Sequence, residues 1–280
     1  MRVPFSKMHG AGNDYVVVDC TGGDPVSDWA AFARSALDRH RGVGGDQLLR
    51  VAAPRSPTAD FFMGILNADG STAEMCGNGV RAFHKFVLDR GLTRSLEISL
   101  DTLGGIVRSR ALGEDRFEVE MPVPILSPEK IPTTLAGPVP LLDVALRVGD
   151  RELAVTPISM GNPHCVIFVE DPEAVEVEVL GPLIEQHAAF PARTNVEFVG
   201  VETPQLLVQR TWERGVGETL ACGSGACAAA AAAILSGRSD RALEIRLRGG
   251  TLGLRWPSNE SPIHLSGPAA HVFDSELELA

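Results

Sequence analysis

The residues that could do chemistry lie in two short segments of the same form, Cys-Gly-polar-Gly followed by a helix-forming run. Cys76 opens the first in EMCGNGVRAFHKFVLDRG (74–91), and Cys222 opens the second in ETLACGSGACAAAAAAIL (218–235). Unpaired backbone N–H groups and the positive end of the helix dipole favour a thiolate at a helix start and lower its pKa. The glycines allow the backbone to approach an anion closely. The sequence therefore predicts two ionisable thiols, each beside an anion-binding helix terminus.

Two such sites together suggest chemistry that a single nucleophile cannot perform. If the two halves of the chain face each other, two thiols reach one substrate from opposite sides, which suits inversion at a carbon alpha to a carboxylate. One thiolate removes the proton, the opposite thiol returns one, and the helix dipoles stabilise the negative charge that builds up on the carboxylate. We expect no cofactor and no metal: Lys7, Lys85 and Lys130 lie in no context typical of a Schiff base, and no Cys-x-x-Cys pair is present.

The two helices must be positioned by the segments around them. The helix after Cys76 carries an apolar stripe and ends before Gly91, which is typical of a C-terminal cap; the stripe is Val80, Phe83, Phe86 and Val87. The run Ala226–Leu235 has almost no polar side chains, which predicts a helix buried on every face.

Short strands are predicted on both sides of each helix. In the first half they are YVVVDC (15–20), QLLRVA (47–52), FFMGILN (61–67), LEISL (96–100) and RFEVEM (116–121). In the second half they are HCVIFVE, NVEFVGV and QLLVQRTW, with hairpins that turn at Gly149-Asp150 and at Gly249-Gly250. Each half therefore reads as many short strands around one dominant helix.

A proline-rich segment, residues 121–140, separates the halves and cannot lie inside a sheet, so we take it as the crossing between two domains. The motif MHGAGND (8–14) has a weak echo in MGNPH (160–164), and each precedes its cysteine segment by a similar distance. The pattern predicts an α+β fold of two pseudo-symmetric domains related by a pseudo-twofold axis.

Composition limits the other functions. A net charge of -11 without a basic patch argues against nucleic acid as a partner. No apolar run approaches the length of a membrane span and the N-terminus resembles no targeting peptide, so we expect no membrane partner and a cytoplasmic location. Five widely spaced cysteines favour reduced thiols over a disulfide framework, and we expect Cys20, Cys165 and Cys227 to act as small buried apolar residues.

Six motifs in register together resemble diaminopimelate epimerases over nearly the whole chain. They are MHGAGNDY (8–15), GVGGDQLL (42–49), NADGSTAEMCGNG (67–79), MGNPH (160–164), TNVEF (194–198) and ERGVGETLACGSGACA (213–228). The resemblance implies two domains, each a mixed β-sheet or barrel wrapped around a central α-helix, with boundaries at 1–121 and 122–267 and a last strand, 268–280, that returns to the first domain. It also implies cofactor-independent interconversion of LL- and meso-diaminopimelate in lysine and peptidoglycan precursor synthesis, and it leaves a homodimer open.

The resemblance also assigns roles to individual residues. Cys76 is the acid and Cys222 the base in the LL to meso direction, with Glu213 and His164 as catalytic helpers. Gly77, Asn78, Gly223 and Ser224 would offer helix-terminal donors to the carboxylate at the reacting carbon. The distal end of the substrate would be held by Arg214, Asn67, Asn162 and Asn195, with Asn13 and Gln47 contributing further contacts. Ser224 and Tyr15 stand where the family frequently has Thr and Phe, which affects fine tuning only.

Three other readings remain open at this stage. A related racemase for another amino acid would keep both cysteines but lack the distal clamp that Arg214 and the asparagines predict. A cysteine hydrolase needs one thiol and a histidine, and leaves the second motif unexplained. A redox or binding module could use the pair as a reversible disulfide. Turnover of LL-diaminopimelate separates all three from the main reading.

Overall fold

The computed structural model describes residues 2–278, which divide into two compact units. The first contains residues 2–120 and 266–278, and the second contains Met121–Leu265. The start of the proline-rich segment therefore coincides with the change of unit, and that segment holds a short 3-10 helix, Pro128–Lys130.

The first unit is one mixed sheet with two helices in its parallel crossovers. Its strands pair in the order β17, β1, β2, β3, β4, β5, β6, β7, with β2–β3 and β4–β5 parallel and the other neighbours antiparallel. Their bounds are β1 Arg2–Gly10, β2 Asn13–Asp19, β3 Gln47–Ala52, β4 Phe61–Asn67, β5 Glu97–Thr102, β6 Gly105–Gly113, β7 Arg116–Met121 and β17 Ala270–Glu278. Because parallel neighbours need a crossover, α1 (Trp29–Leu37) joins β2 to β3 and α2 (Gly77–Asp89) joins β4 to β5.

The second unit has the same succession of pairings. Strand β10 pairs antiparallel with β9 and parallel with β11, and β11 pairs antiparallel with β12. Strand β14 pairs parallel with β12 and antiparallel with β15, and β8 pairs antiparallel with β9. The strands of this unit are β8 Val144–Val148, β9 Arg151–Ser159, β10 Pro163–Phe168, β11 Asn195–Thr203, β12 Leu206–Glu213, β13 Gly217–Thr219, β14 Ala242–Leu247 and β15 Gly250–Arg255. The boundary between the units, after Leu265, falls within β16 Ile263–Pro268. The crossover helices are α3 (Val177–Glu185) and α4 (Gly223–Leu235).

The α+β fold class and the repeated layout predicted from sequence are confirmed, with one addition. Each unit has a second helix, α1 or α3, that the sequence reading did not include. Asp28 caps α1 by accepting the N–H of Ala31, and Phe32 and Leu37 pack on Val16 and Leu48 of the sheet. The predicted turn at Gly249-Gly250 is also wrong by one residue, because Leu247 pairs with Gly250.

The two cysteine-led helices are the most buried helices of their units. In α4 every residue from Gly225 to Ala233 is buried, as predicted. In α2 burial extends beyond the apolar stripe to Arg81, His84 and Lys85, so the helix is enclosed on all sides. Gly91, at a φ of +66°, follows the end of α2, where Leu92 donates its N–H to the carbonyl of Val87 in a Schellman cap. Cys20, Cys165 and Cys227 are buried, as expected.

Candidate active site

Both motif cysteines are the N-cap residues of their helices. The Sγ of Cys76 accepts the N–H of Gly79 at 3.4 Å, and the Sγ of Cys222 accepts the N–H of Gly225 at 3.4 Å. In each case the cysteine carbonyl accepts the next N–H at 2.9 Å, that of Val80 or of Ala226. A sulfur atom therefore takes the place that a Ser, Thr or Asp oxygen usually occupies at a helix start.

This capping leaves two backbone donors at each helix start. The first N–H groups of a helix have no acceptor within it. With the third N–H on the sulfur, the donors that remain are those of Gly77 and Asn78 in α2, and of Gly223 and Ser224 in α4. These are the positions at which the sequence predicted carboxylate donors.

Around Cys76, three side chains come from one row across the sheet. Tyr15 of β2 pairs with Gln47 of β3, which pairs with Asn67 of β4. Gln47 Nε2 donates to Asn67 Oδ1 at 3.0 Å, and the Tyr15 hydroxyl lies 3.5 Å from Cys76 Sγ. Burial, together with the neighbouring Cys76, raises the pKa of Tyr15 well above its ordinary value, so the phenol stays protonated beside the sulfur.

Beside this row lies an ionic cluster formed by Lys7, Asp14, Arg39 and Asp46. Lys7 Nζ is 2.6 Å from Asp14 Oδ2, and Arg39 Nη2 is 2.7 Å from both Asp14 Oδ1 and Asp46 Oδ1. Although burial acts to raise it, the hydrogen bonds and charges of Arg39 and Lys7 hold the pKa of Asp14 well below its usual range. Asn13 joins the cluster by donating from Nδ2 to Asp46 Oδ2 at 3.3 Å.

Around Cys222, the expectation of a lowered pKa is wrong for the structure as described. Burial raises the pKa of the Cys222 thiol well above its ordinary value, and the negative charges of Glu213 and Glu197 raise it further. Hydrogen bonds from Ser224 and from the Gly225 N–H act in the opposite direction but do not prevail. The sequence places the sulfur at a helix dipole, whereas the fold also places it in an apolar enclosure beside two carboxyl groups.

Glu213 lies next to Cys222 and shares its surroundings. Burial raises the pKa of the Glu213 carboxyl above its ordinary value, while the hydroxyl of Thr219 donates to Oε1 at 2.5 Å and lowers it, as does a hydrogen bond with Cys222. A carboxyl group in hydrogen-bond contact with a thiol can accept that thiol's proton or respond to its charge.

His164 and Glu197 form a fully buried hydrogen-bonded pair. His164 Nδ1 lies 2.8 Å from Glu197 Oε1, and Nε2 lies 3.0 Å from Asn162 Oδ1, while Asn162 Nδ2 donates to Ser224 Oγ at 3.5 Å. Each ring nitrogen thus faces an oxygen, and each contact needs one hydrogen. Glu197 and Asn162 therefore hold the ring of His164 from both sides.

The side chain of Asn195 is hydrogen-bonded to the backbone of Arg214. Asn195 Nδ2 donates to the carbonyl of Pro163 at 2.9 Å, and Asn195 Oδ1 accepts the Arg214 N–H at 2.9 Å. The Arg214 side chain is exposed, and its Nη1 donates to the carbonyl of Ala192 at 3.0 Å. Of the sequence-predicted residues, Cys76, Gly77, Asn78 and Asn13 thus gather in the first unit, and Cys222, Glu213, Ser224, Asn162 and His164 gather in the second.

Several residues at these sites, among them Tyr15, Asp46 and Glu197, had no assigned role in the sequence reading. Each of these three lies inside a quoted motif, and Glu197 carried a usable signal, because a charged residue in the centre of a buried strand needs a partner. The partner itself, His164, is on another strand and could not be read from spacing.

The motifs have counterparts in known proteins. The family model described as diaminopimelate epimerase matches residues 5–125 and 156–272. The chain is 43% identical over 284 residues to the diaminopimelate epimerase of Leptospira biflexa, and 44% identical over 283 residues to that of Pseudomonas syringae, covering 100% of both chains in each case. The chain belongs to the diaminopimelate epimerase family.

The fold of the diaminopimelate epimerase family extends to more distant proteins. The structure of a probable proline racemase from Agrobacterium radiobacter superposes with a TM-score of 0.72 at 16% identity, covering 99% of this chain and 93% of that one. No helix within residues 2–278 is long and apolar enough to cross a membrane, and no group of three His, Cys, Asp or Glu residues in that range could hold a metal ion.

Proposed function

We propose that the chain interconverts LL- and meso-diaminopimelate by acid–base catalysis with Cys76 and Cys222, in the synthesis of lysine and peptidoglycan precursors. Family membership makes it an isomerase. The observation that carries the mechanism is the matched pair of thiols, each capping the N-terminus of a buried helix at the same 3.4 Å distance. The acid and the base are side chains of the chain itself, so the reaction as proposed uses no cofactor.

In the LL to meso direction, the Cys222 thiolate takes the α-proton and becomes a thiol. The electron pair left on the α-carbon is delocalised into the carboxylate, where N–H donors such as those of Gly77 and Gly223 stabilise the developing charge. The Cys76 thiol then delivers its proton to the opposite face and becomes a thiolate. The enzyme is left in the protonation state that catalyses the reverse reaction.

Because the pKa of Cys222 is raised, we propose that the bound substrate helps to ionise this thiol. Glu213 is one of the two carboxyl groups that raise this pKa. We place the substrate α-ammonium beside Glu213, where its positive charge offsets the carboxylate and makes the thiolate easier to form. Cys222 is then ionised when substrate is bound rather than at rest. Arg214, Asn67, Asn162 and Asn195 are proposed to hold the distal amino acid end, and Asn13 and Gln47 to contact the substrate.

The test is epimerisation of LL-diaminopimelate in heavy water, followed by chiral chromatography and mass spectrometry. Because the returned proton comes from a group that exchanges with solvent, deuterium should enter the inverted product well before it enters recovered LL substrate. Both Cys76→Ala and Cys222→Ala should be inactive. Turnover of another amino acid in place of LL-diaminopimelate would instead indicate a related racemase.

Serine variants supply the control for folding. Ser is a good N-cap, so Cys76→Ser and Cys222→Ser keep a capping oxygen at the helix start while removing the thiol. We expect both to unfold near the wild-type temperature and to be inactive. Full activity in either serine variant would contradict the proposed mechanism. A homodimer and a cytoplasmic location stay predictions, which light scattering and cell fractionation would check.

A further inference from the structure

Four side chains of the first unit form a continuous hydrogen-bonded chain beside Cys76, and we name it the amide chain: Asp46, Asn13, Asn78 and Arg81. Asn13 Nδ2 donates to Asp46 Oδ2 at 3.3 Å, and Arg81 Nη2 donates to Asn78 Oδ1 at 2.8 Å. Between them, Asn78 Nδ2 donates to Asn13 Oδ1. The amide chain therefore joins the loop before β3 to the interior of α2.

The two ends of the amide chain determine its direction. An ionised carboxylate such as Asp46 only accepts hydrogen bonds, and a guanidinium such as Arg81 only donates them. The Asn13 amide must therefore turn its NH₂ group toward Asp46, which leaves its oxygen for Asn78. The Asn78 amide must turn its oxygen toward Arg81. The acceptor at one end and the donor at the other therefore allow only one orientation of each amide.

Burial fixes the Arg81 end of the amide chain, and hydrogen bonds hold the Asp46 end. Arg81 is fully buried, and its Nε donates to the carbonyl of Pro268 at 3.3 Å. Asp46 also accepts the backbone N–H of Asp14 at 3.1 Å and is held by Arg39. At Gly10 an added Cβ would lie 3.1 Å from the Asn78 carbonyl oxygen and 3.6 Å from Arg81 Nη2, so a glycine there leaves room for this end.

The fixed orientation decides what the two amides can offer a ligand. An amide NH₂ carries two hydrogens, and the amide chain uses one from each asparagine. Each asparagine therefore keeps one N–H that the amide chain does not use, and Asn13, which is only half-buried, can offer this donor at the surface of the unit. If the amides were reversed, carbonyl oxygens would be presented instead, and these repel a carboxylate.

We propose that Asp46 and Arg81 are positioning residues for the reaction: they hold the Asn13 and Asn78 amides with N–H groups directed toward a carboxylate of the substrate. This inference rests on the proposed function, because that function supplies an amino acid as the ligand. Neither residue needs to touch the substrate. We expect their effect on binding, since the hydrogen bonds that they make in the amide chain go to the two amides that would hold the substrate.

Asp46→Asn is the sharpest perturbation, since its new NH₂ group must face either Arg39 or the N–H groups of Asn13 and Asp14. Donor then meets donor on one side, and the direction of the amide chain is lost. The matched control is Asp24→Asn in the same unit. Asp24 accepts from Arg50 Nη2 at 2.6 Å and from Trp29 Nε1 at 2.7 Å, and its side chain is 48% exposed against 40% for Asp46.

We expect Asp46→Asn to raise KM for LL-diaminopimelate about tenfold, which corresponds to about 1.4 kcal/mol, with kcat within about twofold of wild type. Asp24→Asn should leave both parameters unchanged, and the two variants should lose similar amounts of thermal stability. In nitrogen-15 spectra, the side-chain NH₂ signals of Asn13 and Asn78 should move in Asp46→Asn and stay in place in Asp24→Asn. A merely structural role for Asp46 would not produce this split between KM and kcat.

Binding to the inactive Cys222→Ala protein separates this inference from the proposed function. Calorimetric titration with LL-diaminopimelate should give a dissociation constant about tenfold weaker when Asp46→Asn is added. If the wild-type protein binds this compound without epimerising it, the proposed function fails, but the effect of Asp46→Asn on the dissociation constant still tests the inference. An unchanged dissociation constant, or unmoved Asn13 and Asn78 signals, overturns the inference.

Discussion

Glycine at the third position of the two cysteine-capped helices offers a matched pair of mutations with different expected outcomes. Gly79 in α2 and Gly225 in α4 both donate their N–H to the capping sulfur at 3.4 Å. By helix propensity alone, replacement of either glycine by alanine should stabilise the helix by up to about 1 kcal/mol. What the added Cβ would meet differs between them.

At Gly225 the new methyl group would lie 2.6 Å from Glu197 Oε1 and 3.3 Å from Cys222 Sγ. An ordinary contact of about 3.4 Å requires the carboxyl to retreat by roughly 0.8 Å. The same oxygen is hydrogen-bonded to His164 at 2.8 Å, so its displacement disturbs a buried hydrogen bond of good geometry. Overpacking of this kind costs about 1–3 kcal/mol, and the strained buried pair adds to it, so we expect Gly225→Ala to be destabilised by about 1–3 kcal/mol after the propensity gain.

At Gly79 the new methyl group would lie 3.1 Å from Met63 Cε and 3.4 Å from both Cys76 Cβ and Leu49 Cδ2. The end of a methionine side chain can move with little strain. We therefore expect Gly79→Ala to change stability by less than about 1 kcal/mol in either direction.

The assay is urea unfolding followed by circular dichroism, with kcat and KM for LL-diaminopimelate measured on the same samples. Gly225→Ala should unfold at lower urea concentration and lose most of its activity, and Gly79→Ala should remain close to wild type in stability. A Gly225→Ala protein that is as stable as wild type would refute the reasoning, because it would mean that Glu197 has room to move.

Two further predictions concern the second unit. Arg214→Lys should raise KM for LL-diaminopimelate about tenfold, because the proposed bidentate contact of the guanidinium with a substrate carboxylate would be replaced by a point charge. Arg151→Lys, at an exposed arginine paired with Glu176, is the control, and an unchanged KM in Arg214→Lys would disprove the assignment. Glu213→Gln should shift the pH dependence of Cys222 alkylation by iodoacetamide to lower pH, since removal of a negative charge lowers a raised thiol pKa and the thiolate then forms at lower pH. Cys76 in the same protein is the internal control, and equal shifts at both cysteines would contradict a local effect of Glu213.

The strands were the most predictable part of the fold because their signal is local. β3, β4 and β7 have the predicted bounds, each being a short apolar or alternating run between turn residues. The helices α1 and α3 were missed because each is only nine residues long, and α3 contains Pro182, which normally argues against a helix. What requires them is parallel strand pairing, and pairing is a long-range property that no single segment reveals.

In the candidate active site, too, the local features were predictable from sequence and the long-range contacts were not. The cysteines and the donors after them were predictable because cap, glycine and helix are consecutive in sequence. The contact of His164 with Glu197 joins two strands, and that of Asn13 with Asp46 joins a strand to the residue preceding another, so neither pairing follows from spacing. The sign of the pKa shift at Cys222 was wrong because it depends on how deeply the fold buries the sulfur, which a helix-start motif does not specify.

The use of a cysteine sulfur as a helix cap has a consequence for observing the protein at work. The N–H of Gly79 and that of Gly225 each donate to one of the two sulfurs. A thiolate is a stronger acceptor than a thiol, so the proton resonance of each glycine amide must move whenever its own sulfur gains or loses a proton. The backbone thus carries two intrinsic indicators, one for each thiol, and ordinary amide spectra can record which sulfur holds the proton without any label on either side chain.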